Sequence, residues 1–113
     1  AGARLLLDRQ LAALKMESQA VRGYGINAQG HLDAAWQVAK GHADCCIAPR
    51  AAAQTLGLGF IPLARERYDL AILNRDLASP AMETLFDIVN RASFRRELAN
   101  FGYETRESGR RML

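Results

Sequence analysis

The fold reading turns on residues 31–49, His31-Leu-Asp-Ala-Ala-Trp-Gln-Val-Ala-Lys40-Gly-His-Ala-Asp-Cys-Cys-Ile-Ala-Pro49. Leu32, Ala35, Trp36 and Ala39 recur at helical spacing along one face. The spacing predicts a helix over 31–40. Gly41 follows directly, where a helix commonly stops in the left-handed conformation. The small-residue run Ala43–Ala48, interrupted only at Asp44, then predicts a buried strand that Pro49 ends. A helix, a glycine stop and a buried strand in sequence are what an α/β domain is built from.

The same alternation extends in both directions. Arg4–Met16 reads as a helix, with Leu7, Leu11 and Leu14 at i, i+4 and i+7. Val21–Ile26 reads as a short strand. After Pro49, Arg50–Leu56 reads as a short helix closed by Gly57. Phe60–Leu63 is a strand that Pro62 confines to an edge or an end, and Tyr68–Leu73 is the clearest strand of the chain. Ser79-Pro80 opens the next helix, since serine accepts from the free N–H groups and proline at the first position has no donor to lose. Glu83 favours that N-terminus electrostatically, and Leu85, Ile88 and Val89 form the face. Ser93 is expected to cap a last helix reaching Asn100, with Phe94, Leu98 and Phe101 inward and Gly102 as the stop. The tail from Thr105 to Leu113 reads as loose. This order predicts a three-layer α/β sandwich with a mostly parallel central sheet.

Composition bounds the function classes. At 113 residues the chain fits one small domain. Half of it is apolar and 24% charged, a globular balance. Apolar runs such as Ala71–Leu73 are too short to span a bilayer, so no membrane partner is expected. The first residues carry no signal-peptide pattern. The formal charge is +3, with Lys15 and Lys40 the only lysines. The arginines are spread along the chain, apart from Arg106, Arg110 and Arg111, and make no single basic stripe of the kind nucleic acid requires. Cys45 and Cys46 form neither a disulfide framework nor a C-x-x-C site. Without a leader, they suggest a reducing compartment, hence a cytoplasmic location, with the periplasm as the alternative.

Catalytic patterns are sparse. No Walker motif and no G-x-G-x-x-G occurs. His31 and His42 have no motif partner, and Glu66 and Asp69 read as a solvated strand edge. Inside an apolar strand, Cys45 and Cys46 read as small hydrophobes. The expectation is therefore a binding protein and not an enzyme, with no cofactor and no metal. Three loop-to-helix junctions suit an anion instead: Gly2-Ala3-Arg4, Gln29-Gly30-His31 and Pro49-Arg50. Free N–H groups and the positive end of the helix dipole can hold an oxyanion at such places. The candidate ligand residues are Gly2, Ala3, Arg4, Gly30, His31 and Arg50.

Gly2-Ala-Arg-Leu-Leu-Leu-Asp8 resembles the G-[TA]-R-x-L-L-D helix opening of the PBP-like domain family. These are molybdate-binding-protein-like domains of the type II periplasmic binding protein fold. Val38-Ala-Lys-Gly-His-Ala-Asp44, Leu56-Gly-Leu-Gly-Phe-Ile-Pro-Leu63, Glu66-Arg-Tyr-Asp-Leu70 and the closing Phe94–Leu98, Gly102–Glu104 and Ser108-Gly109 follow in the family's order. The resemblance implies a single lobe over residues 1–113, the second of the fold. Its core would span about residues 1–73, and the helices at about 79–101 would pack towards a first lobe of roughly another hundred residues. It implies binding of a small oxyanion, molybdate or tungstate, by a sensor or solute-binding domain. It also implies an attached DNA-binding or molybdopterin-biosynthesis module. The family's N–H donors fall near Ala3 and Arg4 and at Gly30 or His31. Where relatives carry a hydroxyl, commonly of tyrosine, this chain has Pro49, with Arg50 beside it. Tyr68 and Asp69 fall where the chain crosses between lobes. Compact tetrahedral dianions suit such a site, because fixed neutral dipoles hold them without burying an ammonium group. Two alternatives share the architecture: the effector lobe of a LysR-like transcriptional regulator, and an orphan lobe that serves as a dimerisation or interaction domain, as in a homodimer.

Overall fold

The computed structural model describes residues 2–112. Ala1 and Leu113, at the approach to the first helix and the end of the tail, lie outside the described residues. Helices α1 (Gly2–Ala13), α2 (His31–Ala39), α3 (Arg50–Thr55), α4 (Pro80–Asn90) and α5 (Ala92–Asn100) are joined by turns and extended segments, with 3-10 turns at Ser18–Ala20 and Asn74–Asp76. The chain divides into two compact units, Ala1–Ile61 with α1 to α3 and Pro62–Leu113 with α4 and α5.

Among the described residues there is no strand, so the expected α/β sandwich with a parallel central sheet is corrected to a helical architecture. The reasons differ by segment. At Val21–Ile26, Gly23 takes φ 83, and the chain closes successive turns from Tyr24 N–H to Val21 O (3.1 Å) and Ile26 N–H to Gly23 O (2.9 Å). These local turn bonds leave no extended run to pair with a neighbour. The runs at Ala43–Ala48, Phe60–Leu63 and Tyr68–Leu73 have strand-like composition, but a strand exists only through a neighbour that shares its hydrogen bonds. Among the described residues, no backbone-to-backbone hydrogen bond involves Cys45–Ala48 or Phe60–Ile72. Composition selects residues that suit a pleated surface, and cannot supply the partner.

The helices follow the sequence closely. In the first unit α1 stops at Ala13, where Lys15 takes φ 54 and Met16 N–H reaches back to Leu11 O at 2.9 Å. Leu14 thus lies beyond the helix and is 68% exposed, whereas Leu11 is buried. α2 ends as expected, with Gly41 at φ 77 and His42 N–H on Gln37 O at 2.9 Å. Gly57 does the same for α3 at φ 65. α2 packs on α3. Ala35, Ala52 and Ala53 are buried, and side chains this small allow two helices to approach closely.

In the second unit Ser79 caps α4, its Oγ accepting from Met82 N–H at 3.4 Å, with Pro80 in the first turn. α5 begins one residue before its expected cap. Arg91 holds the cap position, and Ser93 lies inside the helix. α4 packs on α5, with Leu85, Phe86, Ile88, Val89, Phe94 and Leu98 half-buried. The tail is less loose than its composition suggests. Ser108 Oγ donates to Val89 O at 3.0 Å, and its carbonyl accepts from Arg95 Nη2 at 2.8 Å. Gly109 takes φ 79 against the Asn90 side chain.

Candidate functional site

All the residues expected to bind an anion lie in the first unit, at three helix starts. Gly2, Ala3 and Arg4 form the first turn of α1, which carries no acidic residue. Gly30 is the cap of α2 and His31 its first residue. Arg50 opens α3, after Pro49. Within each start the residues are neighbours in sequence. Among the described residues, no hydrogen bond joins one start to another.

Arg4 is the most engaged of them. Its guanidinium donates to Tyr24 O at 2.7 Å and to Asn27 Oδ1 at 2.6 Å, and it lies 4.4 Å from the centre of the Tyr24 ring. Tyr24 Oη donates to Asp8 Oδ1 at 2.6 Å. One turn apart on the same face of α1, Arg4 and Asp8 thus both hold this turn. Asp8 is the first reason that the Tyr24 hydroxyl is held above its ordinary value, because hydrogen bonding to the carboxylate favours the protonated phenol; desolvation adds to it. This network ties the 21–27 turn to α1. Sequence reading picked out Arg4 but missed Tyr24, Asn27 and Asp8. The signal lies in Gly23 and Gly25 flanking an aromatic residue, a turn pattern inside the expected strand.

The other two starts are committed elsewhere. Asp33, in the first turn of α2, accepts from Gln29 N–H at 2.9 Å and from Gln37 Nε2 at 3.1 Å. These bonds, the backbone one first, hold its carboxyl below the ordinary range. An ionised carboxylate already complements this helix end, and a second anion there meets like charge. At α3 the Arg50 guanidinium lies over the Phe60 ring at 4.6 Å, and the helix has only six residues.

Leu32, Asp33, Trp36, Thr55 and Leu56 line an open concavity of about 400 Å³ between α2 and α3. Trp36 is partly covered by the Lys40 ammonium, 5.0 Å from its ring. The histidines are not drawn into a cluster: His42 Nδ1 pairs with Gln37 Oε1 at 3.0 Å, and His31 is exposed. Among the described residues, no group of three or more histidine, cysteine or acidic side chains converges as a metal site would require. Cys45 and Cys46 are exposed, which corrects their reading as buried hydrophobes; the sheet that was to cover them is absent among the described residues. In the second unit Asp69 pairs with Arg67 at 3.1 Å, and Tyr68 meets Tyr103 edge to face at 6.4 Å. Among the described residues, no helix is long and apolar enough to cross a membrane.

The model of a family described as the PBP superfamily domain matches residues 1–90. An uncharacterized protein from the 5' region of the ferredoxin 2Fe-2S gene of Clostridium pasteurianum is 35% identical over 108 residues, which cover 94% of this chain and 96% of that protein. The uncharacterized protein YvgK of Bacillus subtilis is 36% identical over 113 residues, 99% of this chain but 36% of that protein. The chain thus spans nearly all of one relative and about a third of the other. No solved structure matches it.

Proposed function

The chain belongs to the PBP superfamily, and from that premise we propose that it is a solute-binding module whose ligand is a small oxyanion, molybdate or tungstate. It acts by binding and not by catalysis. The observation that carries the reading is the match of the family's model over residues 1–90. Within this proposal the start of α1 is the favoured place for the anion. The first turn of α1 carries no acidic residue, and Arg4, within that turn, is braced by Tyr24 and Asn27. Free N–H groups at such an end favour an oxyanion. The α2 start is set aside by the Asp33 carboxylate, and α3 by its brevity. Gly2, Ala3 and Arg4 are therefore the ligand residues of choice, ahead of Gly30, His31 and Arg50.

In this reading the anion is reported onward to a further lobe or to an attached DNA-binding or molybdopterin-biosynthesis module. A cytoplasmic location is proposed with it, on the two free cysteines, with the periplasm as the alternative. The test is thermal unfolding with and without millimolar molybdate, tungstate and sulfate. A ligand that binds only the folded state raises stability by RT ln(1 + [L]/Kd), about 2.7 kcal/mol at a hundredfold excess over Kd. A higher midpoint with molybdate and tungstate, and none with sulfate, supports the reading. Equal midpoints in all three refute it for this chain.

A further inference from the structure

We infer that Cys45 and Cys46 form a bidentate dithiol site for a thiophilic metalloid, trivalent arsenic above all. Both side chains are exposed. Among the described residues, the backbone around them is hydrogen-bonded to other backbone only at its ends, by Ala43 N–H on Gln37 O at 3.3 Å and by Ala52 N–H on Pro49 O at 3.0 Å. Between those anchors, among the described residues, no backbone-to-backbone hydrogen bond fixes Asp44–Ala48. In a paired strand, adjacent side chains are locked on opposite faces. This segment has no ladder, so backbone rotation can bring both thiols to one side without breaking a backbone hydrogen bond. The thiols already sense each other: desolvation first, and the neighbouring Cys45 second, push the Cys46 thiol up.

Adjacency also selects what can bridge the pair. Consecutive Cα atoms are about 3.8 Å apart across a trans peptide, closer than the roughly 4.4 Å at which disulfide geometry begins. A direct sulfur–sulfur bond of about 2.04 Å is therefore strained. An atom inserted between the sulfurs lets them stand farther apart and relieves that strain. Soft thiolates prefer soft acceptors. The nearest charged pair, Arg22 and Asp44 at 3.7 Å, is fully solvated and offers no competing hard site.

The reaction balances without an oxidant. With phenylarsine oxide, the arsenic–oxygen bond breaks and two arsenic–sulfur bonds form. The two thiol protons leave on the oxygen as water, and arsenic remains trivalent.

The experiment treats the native chain with phenylarsine oxide and follows the adduct by intact mass, first under excess 2-mercaptoethanol and then under 2,3-dimercaptopropanol. One phenylarsenic group per chain should survive the monothiol and leave with the dithiol. C45S and C46S should each lose it to the monothiol at least tenfold faster than the unsubstituted chain. Loss from the unsubstituted chain as fast as from the variants overturns the inference. So does an adduct that forms only after unfolding in urea. The unsubstituted chain alone decides the matter should a variant fail to fold, and no outcome depends on oxyanion binding.

Discussion

Replacing Arg4 by methionine keeps the side chain's length and removes its head. Three interactions go with it: the bond to the part-buried Tyr24 carbonyl at 2.7 Å, the exposed bond to Asn27 at 2.6 Å, and the stack on the Tyr24 ring at 4.4 Å. A charged donor to a carbonyl is worth about 1.5 kcal/mol at the lower end of its range. An exposed contact of the other two kinds adds about 0.5 kcal/mol, partly offset by the freedom that the side chain regains. Arg4→Met should therefore cost about 2 kcal/mol. Arg4→Lys should cost about half of that, because an ammonium cannot reach two acceptors in the fixed fork of a guanidinium. Trp36 is the only tryptophan and lies in the first unit, so urea unfolding followed by its fluorescence reads that unit. A loss below about 0.5 kcal/mol for Arg4→Met would refute the claim that Arg4 ties the 21–27 turn to α1.

Three further outcomes follow from the same geometry. Gly109→Ala should lose about 1–2 kcal/mol for the left-handed conformation alone, and more because its Cβ would lie 2.6 Å from Asn90 Cγ. In an Asn90→Ala background that steric excess should disappear, and a cycle without coupling beyond about 0.5 kcal/mol would show that the tail is not seated there. Asp33 has a depressed pKa in the folded chain, so its contribution is present above the unfolded-state value and lost as pH falls through the folded one. Asp33→Asn should flatten the acid limb of stability below about pH 4, as read by urea midpoints across pH. Tyr24 has a raised pKa, so its contribution is full below the unfolded-state value near about pH 10 and is lost as pH rises through the folded one. Ultraviolet titration should show a late-ionising phenol that Asp8→Asn shifts to lower pH.

The sequence was most legible where local chemistry decides structure. Gly41 and Gly57 stop their helices at positive φ, and Ser79-Pro80 opens α4, because each effect acts within one turn of chain. The sheet was not legible. Ala43–Ala48 and Tyr68–Leu73 contain the right residues, but pairing is a property of two segments and not of one. That same failure exposed Cys45 and Cys46, whose burial had been read from the expected sheet. At the site, Arg4 could be found from its motif and its place at a helix start. The bonds that hold it to Tyr24 and Asn27 span twenty or more positions and carry no periodic signature. Asp33 shows the reverse case. It is visible in the sequence near His31, but only the structure shows its carboxylate accepting from Gln29 N–H at the approach to α2.

The central claim is that an oxyanion is held at the start of α1. Backbone amide chemical shifts of the isotopically labelled chain, titrated with molybdate, test it most directly. Saturable shifts are expected at the amides of Ala3 and Arg4, with those of Tyr24 and Asn27 following, and none at Gly30, His31 or Arg50. Shifts centred on Gly30 and His31, or no saturable shift anywhere in the first unit, would contradict it.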